Sequence, residues 1–430
     1  MPGTPSFGSP PSSPPRDGGG GTPSDSVRSA PSFSGLAAAA SWDALSSVQP
    51  AVAAPRPPCN TPRRANRTEP EVRDELADAR SIEVSEERPH KWNAGPLAPP
   101  SIDATERYTY LTKIGSGCFG NVHLAETTEG SKVAVKCVLP DAGREMREVE
   151  LLRMINHPCV VPLLDTFRST GPDGAANTVH IVMEYLPDIL HTRIRGRPLP
   201  RTDIQLYGFQ LLRSLAHLDG MSICHRDIKP ENILLDGPTL KLADFGSAKL
   251  LGDGPSSSYI CARWWRAPEL VLGSTRYTTS VDWWSCGTVL AEMMLGRPIF
   301  TGGSSWGQME AIVRALGTPT MEELRALCPA DGAREQVTAL ARVEARPWQQ
   351  LLAPFASQPD ALELVSRLLV YNPVGRWHPT EALVCRLFAT LSEDLSALPL
   401  RIFDFTDMEL SSCRPPAAEL LRAGQGLRPL

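Results

Sequence analysis

The stretch His225-Arg226-Asp227-Ile228-Lys229-Pro230-Glu231-Asn232 decides how the rest of the chain is read. It puts an aspartate, a lysine two residues on and an asparagine five residues on into one short segment. An aspartate there can accept a hydroxyl proton, the lysine can neutralise a transferring phosphoryl group, and the asparagine can hold a metal ion. Downstream comes Asp244-Phe245-Gly246, whose aspartate suits a hard cation bridging phosphates. Further on, Ala267-Pro268-Glu269 closes the intervening segment, with Glu269 standing 25 residues after Asp244. Asp282-x-Trp284 and Arg376 have the spacing of residues that anchor such a segment in a helical body.

Upstream lies Gly115-Ser116-Gly117-Cys118-Phe119-Gly120-Asn121-Val122, between two strand-like runs. Glycines at these positions let a hairpin close over phosphates and present backbone N–H groups to them. The same spacing marks dinucleotide-binding folds, but those need a helix directly after the glycines, and here a strand pattern follows. Taken alone, the motif also reads as a plain glycine hairpin. The next strand carries Val133-Ala134-Val135-Lys136. A lysine that reaches phosphate oxygens needs an acidic partner to hold its direction. Glu148 sits 12 residues on in a predicted helix, with Arg147 and Glu150 nearby.

The 430 residues include 41 prolines, and 18 of them fall in the first 100 positions. Proline is excluded from helix interiors and central strands, so the chain is not one uniform globule. Residues 1–104 are rich in Pro, Ser, Gly and Ala and read as a disordered tail. Within it, Val72, Leu76 and Ala79 offer only a thin stripe for a weak acidic helix. Alternation over Tyr108–Leu111, Asn121–Ala125 and Lys132–Lys136 predicts strands, and Arg144 to Ile155 predicts a helix. After Asp203 helical patterns dominate. The folded domain is therefore set at 105–395, with a β-rich lobe over 105–186 and an α-rich lobe over 187–395. Residues 396–430 read as an irregular tail.

Apolar residues at 42% allow a sizeable core. A formal charge of −5 and a pI near 6.0 exclude a dedicated nucleic-acid binder. No apolar run of about 18 residues is present to span a membrane. No signal-peptide pattern is found near the start, and Pro2 excludes N-myristoylation. The 10 cysteines form no C-x-x-C pair and read as free thiols in a reducing compartment, the cytoplasm and also the nucleus.

In this order and spacing the five motifs resemble a eukaryotic protein kinase from about Tyr108 to Leu395. The resemblance implies an α+β bilobal fold that binds ATP and Mg2+ in the cleft. By motif position, Asp227 is the catalytic base, Lys229 the phosphate neutraliser, and Asn232 and Asp244 the metal ligands. Lys136, paired with Glu148, positions ATP. The nucleotide pocket takes Ile114, Gly115, Gly117 and Gly120 from the glycine loop, with Val122 and Ala134 as roof and Leu234 as floor. Glu184 and Leu186 offer backbone hydrogen bonds after Met183.

Within the kinases the chain is similar to glycogen synthase kinase 3, over about residues 105 to 420. Asp244-Phe-Gly-Ser-Ala-Lys249, the segment Ser258 to Glu269, Leu316-Gly-Thr-Pro-Thr320 and the run Phe403 to Ser412 carry this resemblance. It implies Ser/Thr substrates already phosphorylated four residues C-terminal to the target. Their priming phosphate would sit among Arg147, Arg226 and Lys249. It also places Tyr259 at the family's phosphotyrosine position. The other readings are a phosphate on the chain's own segment bound by Arg226, with Ser256, Ser257 and Ser258 as donors, an unprimed proline-directed kinase, and a catalytically dead scaffold. The last would require loss of a motif lysine, aspartate or glycine, and all are present.

The chain departs from the family at several places. Met183 replaces a leucine, Glu184 an aspartate, Ala243 a cysteine and Trp264-Trp265 a tyrosine pair. None is expected to abolish activity, and the tryptophans leave the detailed shape of the substrate groove open. In the tail, Ser32 resembles an inhibitory serine site only loosely. Ser13 is proline-directed, and Ser9 lies four residues before it. Trp306, Met309, Ile312, Val313 and Leu316 form an amphipathic stripe that reads as core or as a groove for helices of scaffold proteins.

Overall fold

The computed structural model describes residues 107–422 apart from 118–119, 139–143, 171–176, 253–255, 259, 328–329, 390, 392–397, 412 and 414. The expectations for the 1–104 tail, Ser9, Ser13, Ser32 and Tyr259 lie outside the described residues.

The first lobe is one antiparallel sheet, in the order β1-β2-β3-β5-β4. Its strands are β1 (Tyr108–Gly117), β2 (Gly120–Thr127), β3 (Lys132–Val138), β4 (Leu163–Thr170) and β5 (Asn177–Glu184). Helix α1 (Arg144–Met154) crosses from β3 towards β4. Strand alternation assigns the faces. Val133, Val135 and Val182 pack with Ala125 and Phe167 on one face, while Val179, Ile181 and Met183 join the main core with Val149 and Leu152 of α1. Ala134 and Lys136 alternate with Val133 and Val135 along β3 and so take the face opposite theirs. The hairpin after the glycine loop depends on Gly120 at φ 122, where an added Cβ would meet the Cys137 carbonyl oxygen at 2.2 Å.

Short pieces then form the floor of the cleft. Strand β6 (Asp188–Ile189) leads into α2 (Leu190–Ile194) and the long α3 (Arg201–Gly220). Strand β7 (Ile223–Cys224) precedes the 225–232 segment. Strand β8 (Ile233–Asp236) pairs with β6 on one side and β9 (Thr239–Leu242) on the other, and β10 (Lys249–Leu250) pairs with β7, setting Lys249 opposite Cys224.

The helical body continues with α4 (Pro268–Val271), α5 (Ser280–Leu295), α6 (Ser305–Leu316), α7 (Met321–Leu327) and α8 (Asp331–Thr338). It closes with α9 (Trp348–Leu351), α10 (Pro359–Leu368), α11 (Pro379–Leu383), α12 (Asp407–Ser411) and α13 (Pro415–Arg422). Helix α5 is apolar nearly all round and runs through the core against α3 and α10. Its Gly287 lies where a Cβ would come within 2.9 Å of the Leu368 and Leu369 side chains. Gly287→Ala is expected to destabilise the protein by about 1–3 kcal/mol through overpacking, despite alanine's better helix propensity. Urea unfolding measures this, and an unchanged midpoint would show that the contact has slack.

The Trp306–Leu316 stripe lies on α6, where Met309, Ile312 and Val313 are buried in the core and Trp306 and Leu316 pack against it, so of its two readings the burial supports core. One expectation needs correction. The 396–430 segment, expected to be irregular, carries α12 and α13. Arg213 of α3 donates to the Ile402 carbonyl at 2.7 Å, to the Asp404 carbonyl at 2.9 Å and to Glu409 Oε1 at 3.2 Å. Burial acts to raise the Glu409 carboxyl, but His217 and Arg213 overcome it and hold the group down at about 2. Among the described residues Cys159, Cys224, Cys261 and Cys286 are buried thiols outside any disulfide.

Candidate active site

Strand β3 and helix α1 meet the 244–246 turn across one buried charge cluster. Lys136 Nζ donates to Glu148 Oε1 at 2.7 Å, to Glu148 Oε2 at 2.8 Å and to Asp244 Oδ1 at 2.8 Å. Burial alone would lower the Lys136 ammonium. The Glu148 and Asp244 carboxylates outweigh burial and raise it, so the lysine stays charged. Asp244 shows the converse: burial acts to raise its carboxyl, and Lys136 holds it below the ordinary range. Helix α1 packs on the Phe245–Ser247 turn, which fixes the distance this ion pair must span.

Asp244 is held at φ 62, in the left-handed region. Such a backbone costs a non-glycine residue about 1–3 kcal/mol and persists only when its surroundings impose it. Lys136 imposes it here, helped by a bond from the Gly246 N–H. Arg226 has the same strain at φ 66. Its N–H and that of His225 both donate to the Asp282 carboxylate, at 2.9 and 2.6 Å. Asp282 therefore braces the 225–227 turn, where the sequence spacing had suggested an anchor for the downstream segment. The His225 ring is buried edge-on to Phe245. It accepts from the Asp227 N–H and donates to the Ala243 carbonyl, which fixes one tautomer. Burial pushes its pKa down, in keeping with a neutral ring.

Asp227 is the hub of the cluster. Its Oδ2 accepts from Lys229 Nζ at 2.7 Å and from Asn232 Nδ2 at 2.9 Å, and its Oδ1 accepts from the Ala262 N–H at 3.1 Å. Asn232 Nδ2 also donates to the Asp227 carbonyl at 2.8 Å. The Asn232 amide nitrogen is thus committed to Asp227, and its carbonyl oxygen remains to offer a cation. On Asp244 one oxygen serves Lys136, and the other remains. Two hard oxygen donors on neighbouring turns fit Mg2+ well and suit softer metals poorly.

The remaining expected residues fall around this cluster. Gly115 and Gly117 end β1, Gly120 and Val122 open β2, and Ile114 is exposed on β1. Ala134 is buried on β3, and Leu234 is half-buried on β8. Glu184 ends β5, with its side chain engaged by Lys241 Nζ, and Leu186 is buried just beyond it. Arg226 and Lys249 are buried, whereas Arg147 is exposed on α1 beside Glu148. Trp265 is buried and donates to Glu292 Oε2 at 2.9 Å, while Trp264 stays exposed. Burial lifts the Glu292 carboxyl to about 7. Tyr277 escaped the sequence reading. It has no motif, and only the fold brings its hydroxyl to Arg226 Nη1 at 3.2 Å.

A five-stranded lobe whose lysine bridges to a helix glutamate and a cleft aspartate, above a helical body that carries the Asp227 hub, defines a protein kinase. The family model for the protein kinase domain matches residues 108–388. Over 346 residues the chain is 39% identical to "Glycogen synthase kinase 3" of Trypanosoma brucei brucei, covering 75% of this chain and 96% of that one. It is 38% identical over 328 residues to "Protein kinase gsk3" of Schizosaccharomyces pombe, covering 71% of this chain and 83% of that one. The chain belongs to the glycogen synthase kinase 3 family and is an ATP-dependent serine/threonine protein kinase.

Proposed function

We propose that this kinase acts on protein substrates that already carry a phosphate four residues C-terminal to the target serine or threonine. The observation that carries this is the Arg226 guanidinium. It is 8% exposed, and among the described residues it donates only to neutral oxygens, the Ser247 carbonyl at 2.5 Å and the Tyr277 hydroxyl at 3.2 Å. A buried cation without a counter-charge is costly, so the site favours an anion. Lys249 is also buried, on β10 beside the 225–232 segment, and exposed Arg147 belongs to the helix that packs on the 245–247 turn. A dianionic phosphate forms strong charge-assisted bonds with such groups.

In this reading Asp227 accepts the substrate hydroxyl proton, and Lys229 neutralises charge on the transferring group. Lys136, held by Glu148, orients the nucleotide under the glycine loop. Asn232 and Asp244 hold Mg2+, which supplies positive charge to the phosphates when bound. Ile114, Val122, Ala134 and Leu234 enclose the adenine, with the Glu184 and Leu186 backbone at its edge. Catalysis then rests on positioning and electrostatics.

The test is one peptide, with and without phosphoserine four residues C-terminal to its target. The primed form is expected to give a higher kcat/KM. Lys249→Ala should shrink that advantage by about tenfold, the worth of one charge-assisted bond, and leave the unprimed rate much less changed. Equal rates on both peptides would reject the priming assignment in favour of an unprimed kinase of the same broad group.

A further inference from the structure

The segment between Asp244 and Glu269 sends one of its own hydroxyls into the basic pocket. Lys249 Nζ donates to Ser256 Oγ at 3.1 Å. The Ser256 backbone is tied down by its N–H to the Thr275 carbonyl at 3.4 Å. The next residue is held as well, because the Tyr277 hydroxyl donates to the Ser257 carbonyl at 3.0 Å. That same hydroxyl accepts from Arg226 Nη1 and also meets the Ser256 side chain. Ser256 therefore lies on Lys249 and one hydroxyl away from Arg226, a buried guanidinium that bonds only neutral oxygens among the described residues.

We propose that Ser256 is a phosphorylation site whose phosphoryl group fills the Arg226–Lys249 pocket in cis and shuts out the phosphate of a primed substrate. The proposal rests on the reading of that pocket as the priming site. A phosphoryl group on Ser256 Oγ starts beside the Lys249 ammonium and needs only to displace the Tyr277 hydroxyl to bond Arg226. It brings close to two negative charges and several acceptor oxygens to a place that holds buried cations. Two phosphates cannot share the pocket, since their like charges repel and the same donors would serve both. An enzyme modified at Ser256 thus loses its preference for primed substrates while its Asp227 hub stays assembled.

The modification is ordinary phosphoryl transfer. The Ser256 Oγ–Pγ bond forms as the bond from Pγ to the bridging β–γ oxygen of ATP breaks. ADP leaves with that electron pair, and the hydroxyl proton passes to the carboxylate base of the transferring kinase and then to water. Both the transferring activity and ATP are of the class this family supplies.

Two measurements on the full chain test the proposal. Mass mapping after incubation with magnesium ATP reports transfer by the chain itself. Mapping of the chain isolated from its own cells reports transfer by another kinase. Phosphate at Ser256 is expected in at least one sample, and its absence from both would remove the site. Phosphoserine is then installed at position 256 during synthesis, and both forms of the enzyme are assayed on the primed and unprimed peptide pair. The primed-over-unprimed ratio is expected to fall by about tenfold or more on modification, through a raised KM for the primed peptide. If the unmodified enzyme favours the primed peptide and the modified enzyme keeps the same ratio, the cis-occupancy proposal fails and the priming reading stands. If the unmodified enzyme shows no preference, the priming reading itself falls and the proposal falls with it.

Discussion

Asp227→Asn is expected to lower kcat by about a thousandfold, within the range that a positioned general base supplies. The substitution is isosteric, so the side chain keeps its place. One amide oxygen can still accept from Lys229 and Asn232, as Oδ2 does in the native chain. The amide NH2 then faces the Ala262 N–H, which now donates to Oδ1 at 3.1 Å. Two donors would confront each other there, which costs about 1–3 kcal/mol of local stability and loosens the downstream segment slightly. The nucleotide side is untouched, because Lys136 is held by Glu148 and Asp244 without help from Asp227. KM for ATP should therefore hold while kcat collapses. Loss of kcat is measured at saturating ATP and peptide, with a melting curve to confirm folding. A variant that kept more than about a tenth of wild-type kcat would contradict the base assignment, since general-base removal costs at least a hundredfold.

Parts of this arrangement were legible before any coordinates because their information is local or lies in fixed spacings. Alternation over Lys132–Lys136 sets β3, and the helical pattern from Arg144 to Ile155 sets α1 to within one residue of its observed end. The 12-residue interval from Lys136 to Glu148 then predicts a partnership that the structure shows as a bidentate bond. What escaped was tertiary. Asp282 braces the backbone of His225 and Arg226 from more than 50 residues away, and nothing in Asp282-x-Trp284 says which backbone it meets. Tyr277 reaches Arg226 across 51 residues with no motif of its own. The α6 stripe had two readings because an amphipathic face shows that something covers it and not what does. Residues after 396 looked irregular because their helices are short. Helix α12 forms against α3, where Glu409 meets Arg213 and His217, and α13 against α11, and neither forms by its own propensity.

Arg376→Met is expected to cost about 3–5 kcal/mol of stability, the penalty for stranding one partner of a buried ion pair. Arg376 is 1% exposed and Glu269 is 2% exposed. The guanidinium grips the carboxylate with two bonds, Nη1 to Oε1 at 2.6 Å and Nη2 to Oε2 at 2.7 Å. Its other donors are used as well, by the Val370, Ser280 and Tyr371 carbonyls at 2.9, 2.9 and 3.2 Å, and its plane lies over Trp284. Methionine matches the stem and removes the charge, which leaves the Glu269 carboxylate in the core with no cation. Lysine would be a poor rescue, because a point charge cannot reproduce a planar fork serving five oxygens. Replacing both partners, as Arg376→Met with Glu269→Leu, should lose less than the sum of the single losses, because no charge is then buried alone. Urea unfolding of the four proteins gives the coupling directly, and a loss below about 1 kcal/mol for Arg376→Met would mean that water reaches the pair. The effect reaches the chemistry through position. Glu269 ends the segment whose Ala262 N–H donates to Asp227, so freeing that end lets the segment drift from the catalytic hub. Arg376→Met should therefore lower kcat even at temperatures where the protein remains folded.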